Sequence, residues 1–417
     1  MVDQRGFDNQ PWLSAAQAAA LLGVERRTLY AYVARGLLRS APGPRGRARR
    51  YERGEVERLA ARHRARAGHG AVAAGALRWG DPVLDSAVTA LGDGGPVYRG
   101  HAAVALAARR VGLERTAELL WSGVLPDAAP DWPRVVAAWG PIARLVPSDG
   151  APGAALPVVV AALGLREPDR HDARPEAELA RARALIPLLA AGVAPERAAH
   201  ALEAPTVAGI VARALGRASS REVAAALDAA LVLMADHELN ASTFAARVAA
   251  STGADLHACI GAALATLSGP RHGAMTARVE ALVDEAGSAR RAAATLRDRM
   301  ARGDDLPGFG HRLYRDGDPR ASPILRLARA LGPARPRVGI ALALAAAGPA
   351  VAGAHPTCDL GLVALSSALG LPRGAPAALF AVGRSAGWVA HILEQRAAGF
   401  LIRPRASGGA ARDPGAP

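Results

Sequence analysis

Alanine fills roughly a quarter of the 417 positions, well above ordinary usage. Alanine is the best helix former. Aromatic residues make up only 4% of the chain, and alternating β-branched segments are almost absent. The prediction is therefore an all-α architecture. At 51% hydrophobic and 21% charged residues, the chain can bury a large core and lacks the composition of a disordered protein. Every one of the 51 basic residues is arginine, which with the alanine excess points to GC-rich coding rather than chemistry. Two cysteines exclude a disulfide scaffold and a cysteine-rich zinc site. The opening MVDQRGFDNQPW lacks the charged-then-apolar layout of a signal peptide. The longest apolar run, Val338–Ala354, contains Gly348, Pro349 and Gly353. It is short and weakly hydrophobic for a membrane span and reads as a buried helix and a loop. A soluble, cytoplasmic protein is expected, and the length suggests two to three domains.

The net charge of +14 is unevenly spread. Residues 1–68 hold 14 arginines against 6 acidic residues, a surplus of 8. A basic excess in so short a segment suggests a polyanion partner; the alternative is a solvated arginine-rich face. Ser14 is placed to cap a helix over Ala15–Leu22, with Ala18, Leu21 and Leu22 on its apolar face. Gly23 gives a tight turn, and Glu25–Arg35 forms a second helix ended by Gly36. Helix, short turn, helix is the helix-turn-helix pattern. Arg26, Arg27 and Tyr30 on the second helix are types that reach phosphates and base edges. Residues 39–51, with Arg45, Arg47 and Arg49, read as a basic turn between two short strands, a wing, and Glu52–His63 as a third helix. This stretch resembles the MerR-like winged helix-turn-helix family over about 55 residues, which implies DNA contact through Arg26, Arg27, Tyr30, Arg45, Arg47 and Arg49. A domain that keeps the fold but binds protein, or nothing, is the competing reading. The domain is assigned to residues 1–66, and residues 67–80, rich in small residues, to a linker.

From residue 81 onward, apolar runs of helical length alternate with Pro/Gly/Asp breaks, so the body is predicted to be all-helical. Four clusters place polar residues where an apolar helix has no need of them. Asp236-His237-Glu238-Leu239-Asn240-Ala241-Ser242-Thr243 follows an apolar run; helix caps explain Asn240 and Ser242 but not His237. In Ser268-Gly269-Pro270-Arg271-His272-Gly273, the histidine precedes a helix, whose dipole favours a neutral imidazole. Pro307-Gly308-Phe309-Gly310-His311 has glycines that allow close backbone approach, followed by Arg312, Arg315 and Arg320. The fourth is Cys358-Asp359, with Arg384 and Arg403 downstream. Taken singly each is more often structural. Together, several histidines, one carboxylate and several arginines suit carbon-acid chemistry on an anionic substrate.

Taken in order, DHELNAST, SGPRHG, PGFGHRLYRDGDPRA, CD, GRSAGWVAHILEQ and LIRPRA resemble the citrate synthase family across roughly residues 85–407. The resemblance implies a fold of large and small helical domains over residues 81–407, the small one at about 274–370, followed by a disordered tail at 408–417. It implies condensation of acetyl-CoA with oxaloacetate and hydrolysis of the citryl thioester. Asp359 then matches the general base, His272 the group that hydrogen-bonds the enolate oxygen, and His311 the group that polarises the oxaloacetate carbonyl. His237, His311, Arg320, Arg384 and Arg403 match the oxaloacetate ligands, with Arg403 donated by a neighbouring subunit, so a homodimer with shared sites is implied. Gly308, Phe309, Gly310 and Arg315 match the CoA contacts. No metal or bound cofactor is implied, and no membrane partner.

Departures from the family pattern are Met234 in place of a frequent histidine, Pro356-Thr357-Cys358 before the base, Arg271 before His272 and Ala274 after Gly273. They leave the acyl-CoA choice open, with propionyl-CoA and 2-methylcitrate as the alternative. A DNA-binding regulator whose body senses oxaloacetate or CoA esters is the reading from another class; the intact His272/His311/Asp359 set favours an enzyme.

Overall fold

The computed structural model describes residues 12–34, 37–42, 49–66, 84–133, 135–146, 150–314 and 316–404. Its contacts divide the chain into two units, Met1–Asp85 and Ser86–Pro417. The predicted linker, 67–80, and tail, 408–417, lie outside the described residues.

In the first unit, Trp12–Ser14 (β1) leads into helix Ala15–Leu22 (α1). Ser14 and Gln17 form a reciprocal capping box, and Gly23 closes the helix at φ 64°. The buried face is Ala18, Ala19 and Leu22; Leu21, predicted inside, is 41% exposed. Helix Arg26–Ala34 (α2) follows. Ser40–Pro42 (β2) and Arg49–Glu52 (β3) pair antiparallel, and β1 pairs on the other side of β3. The third helix, Arg53–Arg66 (α3), starts one residue later than predicted because Glu52 belongs to β3. Leu13, Leu29, Leu38, Tyr51 and Val56 form its small core. Arg26, Arg27 and Tyr30 are exposed on α2, and Arg49 is exposed on the wing strand. Arg45 and Arg47 lie outside the described residues.

The second unit is helical with one addition. Thr89–Gly92 (β4), Gly95–Tyr98 (β5) and His101–Ala102 (β6) form a small antiparallel sheet, so the body is not wholly helical. The signal was the two-residue Asp93-Gly94 step between β4 and β5, a favoured hairpin turn. The hairpin matters because it carries Tyr98. This buried phenol lies 3.1 Å from the Val232 carbonyl and 3.1 Å from the Asp236 carbonyl, and accepts the Asp236 N–H at 3.2 Å. It thereby ties down the end of helix Arg221–Met234 and the turn after it.

Helix Ala375–Ala398 runs through the core against helices Leu113–Ser122, Pro175–Gly192, Arg221–Met234, Ala241–Ser251 and Leu256–Leu267. Its faces are nearly all apolar, as a buried helix requires. Gly387 permits the closest approach, because a Cβ there would collide with the Asp236 carboxylate and the Ala235 carbonyl. Helices Met275–Ala286, Ala292–Arg302, Ala321–Leu331, Pro336–Ala352 and Cys358–Leu369 pack chiefly on one another. The apolar run at 338–354 is the fourth of these, continuing through Pro349 to a cap at Gly353. Among the described residues no helix is long and apolar enough to cross a membrane.

Two enclosed carboxylates cap helices in this unit. Asp228 accepts the Leu113 N–H at 2.9 Å and Glu114 accepts the Val207 N–H at 2.6 Å. Burial first, and then the Glu114 charge, raise the Asp228 carboxyl from 3.8 to about 7. The folded state therefore holds the proton more tightly than the unfolded chain. The associated stability is full below 3.8 and is lost as pH rises to about 7. Asp228→Asn keeps an acceptor for Leu113 without the charge. Its Tm is predicted to exceed that of the wild type by more at pH 8 than at pH 5; an equal difference at both would contradict the titration assigned to Asp228.

Candidate active site

Helix Arg221–Met234 ends at a turn in which Glu238 takes φ 55°, a strained position for a side-chain-bearing residue. Asn240 closes the turn by capping the next helix, accepting the Thr243 N–H at 3.2 Å. Between them His237, 7% exposed, turns inward. Its Nε2 is 2.9 Å from the Tyr314 hydroxyl, and its ring meets that of His311 edge-on at 5.3 Å. Burial, then the charges of Arg320 and Arg384, push its pKa well down.

The glycine loop lies beside this turn. Gly308 and Gly310 take φ 81° and 73°, which glycine adopts without strain. The loop pairs with the strand-like segment ahead of Asp359: Gly310 N–H donates to the His355 carbonyl at 2.9 Å, and Thr357 N–H to the Gly308 carbonyl at 2.8 Å. Phe309 packs on Gly348, where a Cβ would collide with its ring. His311 Nδ1 accepts the Leu313 N–H at 3.2 Å. A neutral imidazole so bonded carries its proton on Nε2. Burial, then Arg320, lower this histidine to about 4.

Arg320 opens helix Ala321–Leu331 and is 3% exposed. Asp318 grips it with two bonds of 2.9 Å and also accepts the Cys358 N–H at 2.9 Å. Burial opposes ionisation of Asp318, but the Arg320 charge and hydrogen bonds outweigh it and hold the carboxyl at about 2. Stripping either partner would leave a buried charge uncompensated, at a cost of about 3–5 kcal/mol. Asp359, in the first turn of helix Cys358–Leu369, accepts the Thr357 hydroxyl at 2.9 Å. Burial raises its pKa.

His272 sits in the turn before helix Met275–Ala286, with Nε2 2.7 Å from the Ser242 hydroxyl. That hydroxyl donates to the Asn240 side-chain oxygen at 2.8 Å and accepts the Trp388 indole N–H at 3.2 Å. Burial first and Arg384 second bring His272 to about 4. The sequence had pointed to the helix dipole for this shift; desolvation is the larger cause. Arg384, 1% exposed, donates from Nε to the Met234 carbonyl at 2.7 Å and stacks over Phe380 at 4.7 Å. Among the described residues its buried Nη2 has no hydrogen-bond partner. The Nε contact is to the Met234 backbone, so it does not depend on which side chain stands at 234.

The structure thus brings His237, His311, Arg320, Arg384, His272 and Asp359 into one electrostatically coupled cluster. It does not bring in Arg403, which is exposed after the last helix and makes no hydrogen bond or ion pair with the described residues. Arg315 lies outside the described residues. Sequence reasoning assigned no role to Tyr314, Asp318 or Trp388, and read Ser242 only as part of a helix cap. Asp318, two residues before a key arginine in an Asp-Pro-Arg step, carried the clearest signal. Trp388 carried none, because it meets Ser242 across 146 residues of chain.

Residues 76–405 match the family described as citrate synthase, C-terminal domain, and residues 12–64 match a helix-turn-helix domain. The chain belongs to the citrate synthase family. A 2-methylcitrate synthase of Mycobacterium tuberculosis (strain ATCC 25618 / H37Rv) is 31% identical over 325 residues, covering 74% of this chain and 82% of that protein. A putative citrate synthase 2 of the same strain is 41% identical over 187 residues, or 43% of this chain, and the chain spans 50% of that relative's length. Among solved structures, the Thermoplasma acidophilum citrate synthase in ternary complex with carboxymethyl coenzyme A and oxaloacetate superposes with a TM-score of 0.70. It is 27% identical, with 79% of this chain and 95% of that chain covered. The family's large helical body is therefore shared, and the additional N-terminal unit accounts for most of the remainder of this chain.

Proposed function

We propose that the site condenses a short acyl-CoA thioester with oxaloacetate and then hydrolyses the thioester product. The observation that carries this reading is a carboxyl raised by burial and two imidazoles kept neutral, gathered beside two buried guanidiniums. The guanidiniums of Arg320 and Arg384 suit a small dicarboxylate, with the orphaned Arg384 Nη2 as a ready donor. His237 and His311 complete that subsite.

Asp359 takes a proton from the carbon next to the thioester carbonyl, and the electron pair passes to the thioester oxygen. His272 hydrogen-bonds that oxygen as charge develops, once the Ser242 proton turns from Asn240 to Nε2 and leaves the imidazole proton on Nδ1. The enol carbon attacks the ketone carbon of oxaloacetate. His311 Nε2–H polarises the ketone and delivers its proton to the new alkoxide. Water then cleaves the thioester and releases the CoA thiol. The Gly308–Gly310 loop and Arg315 hold the CoA, and its hydrogen bonds to residues 355–357 couple CoA binding to the placement of Asp359. The helices between residues 275 and 369 form the small domain, whose closure excludes water. Arg403, exposed on one chain, completes the site of a second copy.

Acetyl-CoA, giving citrate, is the first choice and propionyl-CoA, giving 2-methylcitrate, the second. Relatives of both names support each, and one methylene is worth only about 1–3 kcal/mol. Titration calorimetry with oxaloacetate alone tests the dicarboxylate subsite. The wild type is expected to bind and Arg384→Met to lose most of the affinity; no heat from the wild type would refute the reading.

For the first unit, exposed Arg26, Arg27, Tyr30 and Arg49 support DNA binding through α2 and the wing. Arg27 is engaged by Glu25 at 2.7 Å, but that pair is exposed and weak. Gel shifts with the protein's own upstream DNA are expected to show binding that weakens as salt rises. No salt-sensitive complex with any fragment would refute it, and a protein-binding or inert domain would stand.

A further inference from the structure

Behind His237 lies a polar chain that the reaction as written does not use. His391 and Asp236 are both wholly buried, with Nε2 3.2 Å from Oδ2. The same Asp236 oxygen accepts the N–H of Glu238, the residue in the strained conformation, at 3.1 Å. One carboxylate therefore spans the turn that presents His237. It is also the first-ranking charge that favours the cation on buried Arg384. On its other side, His391 Nδ1 is 3.7 Å from Glu394, and Glu394 accepts from Arg247 at 2.8 Å and from the Ala87 N–H at 2.7 Å. Arg247 donates to Gln395 at 2.9 Å, and Gln395 donates to the Phe400 carbonyl at 3.0 Å. The segment so held carries Arg403.

We infer that His391 is a positioning residue for oxaloacetate binding: by holding Asp236 it fixes the turn that carries His237 and the counter-charge that faces Arg384. The inference rests on the proposed dicarboxylate subsite. Its physical basis is that a buried carboxylate keeps its place only while its partners remain. Without His391, Asp236 is left with a single backbone donor on that oxygen, and the strained Glu238 backbone loses what over-determines it. A helix-borne imidazole suits this task, because Gly387 lets the same helix press directly on Asp236.

The test compares His391→Leu with His391→Gln, whose amide nitrogen replaces the Nε2 donor. His391→Leu is expected to raise the KM and the calorimetric Kd for oxaloacetate about tenfold or more, the scale on which losing a ligand's outer partner weakens metal sites. The KM for the acyl-CoA and the kcat at saturation should change far less, and His391→Gln should recover most of the affinity. A merely structural role would lower Tm and the active fraction but leave both constants of the surviving enzyme unchanged. His391→Asn, which stays polar but falls short of Asp236, serves if the leucine variant does not accumulate. Oxaloacetate affinity within about twofold of wild type in the folded variant, leucine or asparagine, would overturn the inference. Failure of the wild type itself to bind oxaloacetate would instead overturn the subsite reading, and this inference with it.

Discussion

Replacing Asp359 by asparagine is expected to lower kcat about 10²–10⁴-fold while oxaloacetate binds almost as before. The substitution preserves size and an acceptor for the Thr357 hydroxyl, so the packing at the head of helix Cys358–Leu369 should hold. What is lost is the basic lone pair. Asp359 has no bond to Arg320 or Arg384; Asp318 is the carboxylate that neutralises Arg320. The dicarboxylate subsite should therefore survive, and calorimetry on the variant should return a Kd close to that of the wild type. The raised pKa of Asp359 makes it a stronger base than an ordinary aspartate, and it remains useful only once ionised. Near-normal turnover in the variant would remove it from the role of base.

The second large effect concerns Arg403. Arg403→Ala is expected to be almost inactive through weak oxaloacetate binding, and the Asp359→Asn variant is almost inactive through chemistry. If sites are shared across a dimer, co-expressing the two variants creates mixed dimers in which one site has both Asp359 and Arg403. With random pairing about a quarter of wild-type activity should return. No recovery from verified mixed dimers would mean that each chain builds its site alone. The exposure of Arg403 and its lack of partners among the described residues are what such sharing requires.

Helices with strong local signals were legible in the sequence. Ser14 announced α1, Gly23 its end, and Asn240 read as a helix cap, because caps are written within three residues. The candidate site was legible as four clusters because His237, His272, His311 and Asp359 interrupt apolar runs. What escaped was set by contact across the chain. The Asp236–His391 pair joins residues 155 apart, and the Ser242 hydroxyl gathers Trp388 and His272 from separate helices and turns. The β4–β5 hairpin was missed for another reason: the scarcity of strand-forming residues outweighed a short Asp-Gly turn signal. Leu21 shows the limit of periodicity, since Ala19 rather than Leu21 completes the buried face of so short a helix.

The central claim is that a base, two neutral imidazoles and two buried arginines form a working carbon–carbon bond-forming site. Thiol release by the purified full-length protein tests it most directly, measured with acetyl-CoA and with propionyl-CoA, each with and without oxaloacetate. The account predicts release with at least one thioester, strictly dependent on oxaloacetate and abolished in Asp359→Asn. No release with either thioester, from protein that binds oxaloacetate, would contradict it and leave a sensor in place of an enzyme.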